Sequence, residues 1–236
     1  MSDSPHSRTD AIADALRAQI LGGKYEAGER LPSERELAQK TGANRASVRE
    51  AFKQLEQLGM ISIRPGGGAR VAPLAHAQLG ALRHMLSAQR PDRELVAQWL
   101  DVHELVIAGA ARLATERGTA QELAAAKKLM RKLVSPSIGD ANFVAIADEL
   151  TDLIATASRN VVLRMVRNGL TAQAQRQDHA RKHLPASRKQ LLPIVAELER
   201  ALDHRDAVAA EEGVRKLLRL NRPMVLDLIA GSPAGN

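Results

Sequence analysis

The chain has 236 residues, 34 Lys/Arg against 27 Asp/Glu, a formal net charge of +7 and no cysteine. The missing thiols exclude disulfides, thiolate metal centres and cysteine nucleophiles. No run approaches the roughly eighteen apolar residues of a membrane span, and the first residues lack the apolar core of a signal peptide, so a cytoplasmic protein with no membrane partner is expected.

The excess positive charge suits an acidic partner but does not place it, because residues 1–72 carry 11 Lys/Arg against 9 Asp/Glu. Placement has to come from pattern. Ile12, Leu16, Ile20 and Leu21 recur at helical spacing over Asp10–Leu21, and Gly22 and Gly23 end that helix. After Leu31-Pro32, Ser33 with Glu36 forms a capping box that starts a short helix running to about Lys40. Thr41-Gly42-Ala43 breaks it. Asn44 then caps a third helix whose apolar positions Val48, Ala51, Phe52, Leu55 and Leu58 turn Arg45, Ala46, Ser47, Arg49 and Lys53 outward. Beyond Gly59, Met60–Arg64 reads as a strand, Pro65–Gly68 as a tight turn and Ala69–Val71 as the returning strand.

Two helices joined by a short glycine-bearing turn, the second with arginines at its N-terminal end, form the arrangement that enters a major groove. Arginine suits that place because its planar fork pairs with guanine or with phosphate. Either helix alone would be unremarkable; the ordered set, closed by a hairpin wing, is specific. In order and spacing, Gly28 to Ala38, Asn44 to Ala51, Leu58-Gly59-Met60 and Arg64 to Val71 resemble the successive signature blocks of the GntR family of bacterial transcription regulators. That resemblance implies Arg35, Arg45 and Arg49 as groove and phosphate contacts. It also implies that Ser47 assists them and that Gly66 brings the wing backbone close to DNA. Ala46 departs from the hydroxyl residue often found there.

Pro73 to Ala77 reads as a linker, after which the chain is helical almost throughout. Apolar residues recur at three and four through Leu95-Trp99-Val102-Val106, Phe143-Ile146-Leu150-Ile154 and Leu191-Ile194-Leu198-Leu202, among other runs. Breaks at Gly118, Pro136, Gly139, Asn160, Pro185 and Arg205-Asp206 divide them into six or seven helices, an antiparallel bundle. The expected fold is therefore mainly α: a winged helix-turn-helix over 8–72 with three helices and a small β-wing, a linker over 73–77, and an all-helical domain over 78–230. His179 and His183 stand four apart, but two ligands without a third read as a solvated face.

The second half resembles the C-terminal domain of the FadR subgroup through Asp101-Val102-His103, Ala110 to Ala114, Ala155 to Asn160 and Ala201 to Ala207. The resemblance implies a homodimer whose bundle holds a ligand cavity. Many of its members bind a divalent metal through an aspartate, a histidine four residues on and two later histidines. Anchored on Asn160 and Asp206, those places hold Ala147, Thr151, Val195 and Leu217, so neither a metal nor another cofactor is expected and the cavity should be less polar. Shifting the anchor by one brings in only Asp148 and Asp152. His103 stands where relatives often carry an arginine.

These readings lead to a sequence-specific DNA-binding regulator, a repressor, that meets an inverted-repeat operator as a homodimer. Its affinity is expected to be set by a metabolite at His103, Ala147, Thr151, Val195 and Leu217. A fatty acyl-CoA or other partly apolar effector leads, with a small organic or sugar acid as the alternative. An enzyme finds no support, because no phosphate loop, nucleophile elbow or metal set is present. An architectural DNA protein would not need a ligand-sized helical domain.

Overall fold

The computed structural model describes residues 5–86, 91–135, 140–171 and 188–230; His179 and His183 lie outside them. The chain divides into two compact units, Met1–Ala88 and Gln89–Asn236.

The first unit starts with helix α1 (Pro5–Leu21), which begins five residues earlier than its apolar pattern. α2 (Glu34–Thr41) has the expected capping box: the Glu36 N–H donates to Ser33 Oγ at 3.3 Å and the Ser33 N–H to Glu36 Oε2 at 2.7 Å. Gly42 ends it in a left-handed conformation. α3 (Arg45–Gln57) begins where Asn44 Oδ1 accepts the Ser47 N–H at 2.7 Å. β1 (Ile61–Arg64) and β2 (Gly68–Val71) pair antiparallel with Ile61 opposite Val71 and Arg64 opposite Gly68. Val48, Ala51, Phe52 and Leu55 from α3 close the core with Ile12, Leu16, Leu37, Met60, Ile61 and Val71.

The stretch expected as a linker is structured. Leu74–His76 forms a 3-10 turn, the Gln78 N–H donates to the Leu58 carbonyl at 2.9 Å, and α4 (Leu79–Leu86) follows with Ala81 buried in the first core. The unit boundary falls after Ala88 instead of at 73–77, because these residues pack on the turn that ends α3.

Among the described residues the second unit is all helical: α5 (Arg93–Arg117), α6 (Ala120–Leu133), α7 (Asp140–Ala157), α8 (Val161–Thr171), α9 (Arg188–Asp203) and α10 (Ala207–Ala230). α5 packs most extensively against α10 and also against α7 and α8; α9 packs on α10 and α6. Thr119 and Glu122 make a second capping box at the start of α6. The turns after α7 and α9 put Arg159 and Arg205 at positive φ. The Arg205 guanidinium then donates to the Thr115 and Gly118 carbonyls at 3.2 and 3.0 Å, satisfying the C-terminal end of α5. No helix of the described residues is long and apolar enough to cross a membrane.

Candidate nucleic-acid interface and core cavity

Among the expected contact residues of the first unit, Arg35, Arg45, Arg49 and Gly66 are exposed. Arg35 comes from α2, Arg45 and Arg49 from α3, and Gly66 from the wing tip, where its φ of +72° is one that glycine adopts without strain. The Arg49 guanidinium meets the Glu34 carboxylate at 3.3 Å, which ties α3 to α2 and raises the arginine above its ordinary range through that hydrogen bond. Both groups keep contact with water, so the pair orients the fork more than it stabilises the fold.

Ser47 is a correction. It is 6% exposed and lies on the inner face, because it heads the row Ser47, Ala51, Leu55 spaced by four along α3. Its backbone N–H donates to Asn44 Oδ1, so the residue shapes the start of the helix and its side chain does not face outward as expected. Two arginines not assigned from the sequence, Arg30 and Arg70, are exposed as well. Arg30 bridges to Arg70, and its guanidinium lies so close to Gly68 that an added Cβ would stand 3.0 Å from Nε. Arg70 donates to the Gly28 carbonyl at 2.8 Å. Their signal was the pairing of the Gly28–Leu31 segment with β2, which local periodicity does not carry.

In the second unit His103, Ala147, Thr151, Val195 and Leu217 come from four different helices and meet around one cavity of about 300 Å³. Ile107, Leu150, Leu198 and Val214 are among its apolar walls. Thr151 has its hydroxyl engaged: it donates to the Asp148 carbonyl at 3.0 Å and accepts from the Arg167 guanidinium at 2.9 Å. Arg167, only 7% exposed, also reaches Asp152 at 3.3 Å and the Asp148 carbonyl at 3.0 Å. His103 leans on Trp99 with ring centroids 5.3 Å apart. Burial, reinforced by the Arg167 charge and opposed by Asp148, pushes its imidazole down to about 4, so the ring is neutral at neutral pH.

Glu104, also in the lining, accepts from Arg219 at 3.0 and 3.2 Å and from Arg215 at 3.3 Å, and the Arg219 hydrogen bond leads in holding its carboxyl below the ordinary range. His103, Asp148 and Glu104 are thus the cavity's acid and imidazole groups, and Glu104 is taken by two arginines. Among the described residues no three such groups stand together as a metal would require. The donor set does not fit a divalent metal. Trp99, Arg167, Asn221 and Arg222 were not foreseen at this site, because only the packing of α5, α7, α8 and α10 brings them near it.

Residues 8–71 match the family of bacterial regulatory proteins called gntR, and residues 98–220 match the FCD domain. The chain belongs to the GntR family, in the branch that carries an FCD domain. Similar proteins include the Glc operon transcriptional activator of Escherichia coli K12, 29% identical over 72% of this chain and 68% of its own length. The Galactonate operon transcriptional repressor of the same strain is 27% identical over 90% of this chain and 94% of its own length. A structure of Lar, described as controlling the Listeria monocytogenes agr system, covers 92% of this chain and 95% of its own with a TM-score of 0.54 at 14% identity, a likeness of fold alone. This GntR protein is accordingly a DNA-binding regulator with a small-molecule-binding FCD domain, and its curated relatives are regulators of transcription.

Proposed function

We propose that this chain is a cytoplasmic, FadR-type repressor that binds an inverted-repeat operator as a homodimer and releases it when a partly apolar metabolite enters the second-unit cavity. Arg35, Arg45 and Arg49 read and hold the groove, with Gly66 at the wing. The observation that carries the reading is the convergence of His103, Ala147, Thr151, Val195 and Leu217 on one cavity whose walls are otherwise mostly aliphatic. Each methylene buried there is worth about 0.8 kcal/mol, so a fatty acyl thioester is the leading effector class. Twofold pairing is supported by α5 and α8, which pack together and leave Val102, Leu105, Val161, Val162 and Met165 exposed. A ligand that prefers one dimer geometry changes DNA affinity by its differential affinity for the two states.

A small sugar acid is the second reading, favoured by the relative named for a galactonate operon. The test is an operator selected from random DNA, bound by the wild type and by Arg45→Ala, and titrated with a long-chain acyl thioester or with galactonate. The arginine variant should lose about 1–3 kcal/mol of affinity, and the thioester should release the wild type. Unchanged binding by Arg45→Ala refutes the recognition-helix assignment; release by galactonate alone gives the second reading.

A further inference from the structure

The wing turns one face inward and one outward. In β2 Ala69 and Val71 are buried while Arg70 is exposed, so Gly68 and Arg70 share the outer face. Ser62 and Arg64 stand opposite them in the register and carry that face onto β1. Along the other edge of β2 the Gly28–Leu31 segment pairs as a short third strand. The Leu31 N–H donates to the Ala69 carbonyl at 2.9 Å and the Val71 N–H to the Glu29 carbonyl at 3.0 Å. Arg30 thereby stands directly across from Arg70. Its guanidinium lies over Gly68, where an added Cβ would meet Nε at 3.0 Å and Nη2 at 3.1 Å. The absent side chain of Gly68 thus lets Arg30 lie on the outer face, over the residue paired with Arg64.

Three exposed arginines therefore share one face, and Arg30 opposite Arg70 is a pairing of like charges that costs stability. Among the described residues no carboxylate comes within ion-pair distance of any of the three. The acids of this neighbourhood are engaged elsewhere: Glu36 accepts the Ser33 N–H, Glu29 the Glu26 N–H and Glu56 the Ile63 N–H. Arg70 donates only to an uncharged acceptor, the Gly28 carbonyl. A cationic face that the fold holds in place and leaves unneutralised is complementary to an anion. Strands spaced by about 4.8 Å spread the three charges into a row, which suits a chain of phosphates better than one small anion.

We infer that Arg30, Arg64 and Arg70 form a phosphate clamp on the outer face of the wing, gripping the DNA backbone and adding affinity without choosing the sequence. Backbone contacts of this kind fix a protein's position on the duplex and carry no base code. The inference adds a second contact surface to the recognition helix and involves neither the effector nor the dimer.

The full-length wild type is compared with Arg30→Gln, Arg64→Gln, Arg70→Gln and the triple glutamine variant on an operator selected from random DNA and on an unrelated duplex. Each arginine lost should lower the slope of log affinity against log salt by about 0.9 per protomer bound. Between about 50 and 200 mM salt the variant should then lose about 3.5-fold less affinity than wild type for each such contact. Operator and unrelated duplex should weaken by the same factor, so the preference between them stays. Arg45→Ala is the control, since its loss should fall on the operator; this separates failure of the clamp from failure of the recognition-helix reading. Urea midpoints of Arg30→Gln and Arg70→Gln should hold or rise as the like-charge pair is relieved. The triple lysine variant keeps the charges and should keep the slope whatever the glutamine variants do to folding. An unchanged slope in the triple glutamine variant overturns the clamp, as does a loss confined to the operator. A slope that falls as far with lysine as with glutamine overturns it too.

Discussion

In the first unit three helices and a hairpin close on a core in which Val48, Ala51 and Leu55 have no exposed surface, whereas the second leaves about 300 Å³ among Ile107, Leu150, Val195 and Leu198. Protein interiors are ordinarily filled to the density of organic crystals, and wall atoms facing a void lose their dispersion contacts. A filled unit holds its surface groups in fixed places, as reading DNA requires. A hollow unit gives up stability in exchange for a site that a ligand can fill, and the regained contacts become binding energy. The two units differ in polar bookkeeping as well. Both spend capping groups on helix ends, but the second also sets a buried indole and a neutral imidazole among the residues around its void.

The largest effect that tests this contrast belongs to Gly59. Its φ is +68°, and an added Cβ would stand 2.4 Å from the His76 carbonyl oxygen and 3.1 Å from the Ala77 Cα, both backbone atoms. The left-handed conformation costs about 1–2 kcal/mol for a residue with a side chain, and overpacking adds about 1–3 kcal/mol. Gly59→Ala should therefore lower the stability of the first unit by about 2–5 kcal/mol in urea unfolding and weaken operator binding through folding alone. A variant as stable as the wild type would mean that residues 76–78 do not pack on this turn.

The same contrast explains what could be read from the chain. Caps, glycine turns and the hairpin are local: Ser33 with Glu36, Asn44, Gly42, Gly59 and the Pro65–Gly68 turn announce themselves within four residues, and the structure follows them. Ser47 misled because outward placement was inferred from its polarity, while its spacing with Ala51 and Leu55 turns it inward. The 73–77 stretch misled because its Pro and small residues suggest a linker, and only tertiary packing against Leu58 and Gly59 orders it. The cavity positions were found by matching four places to a known arrangement. The roles of Trp99 and Arg167 depend on α5, α7 and α8 meeting, which no local pattern records.

A smaller effect separates the units by pH. His103 is held near 4 in the folded protein, below the ordinary 6.5. Between those values the unfolded chain binds more protons, so folding stability falls as pH drops from 6.5 toward 4 and is unaffected by this group above about 7. At 1.36 kcal/mol per unit, reduced because the ring is partly exposed, the loss amounts to about 2 kcal/mol. His103→Phe should remove that slope. Urea midpoints of wild type and variant at pH 7.5, 6 and 5 give the difference; one that stays constant across this range would show that the ring is not buried in neutral form.

The smallest expected effect, that of Ala147→Leu, is the most discriminating, because it can be set against the same added atoms in the first unit. Ala51 on α3 has no exposed surface and lies among Val48, Phe52 and Leu55, so Ala51→Leu should cost about 1–3 kcal/mol by overpacking. Ala147 on α7 borders the cavity, and Ala147→Leu places its extra carbons in the void, where they gain contacts with the aliphatic walls instead of displacing neighbours. Its stability should stay within about 0.5 kcal/mol of wild type or rise, by the same area arithmetic that makes apolar burial favourable. Affinity for any apolar occupant should fall, since the leucine takes the ligand's place. Thermal melts of both variants, with ligand titrations on Ala147→Leu, check the pair. Equal destabilisation at the two positions would mean that the second unit is as tightly filled as the first, and a sensor built on its hollow would then have no room to work.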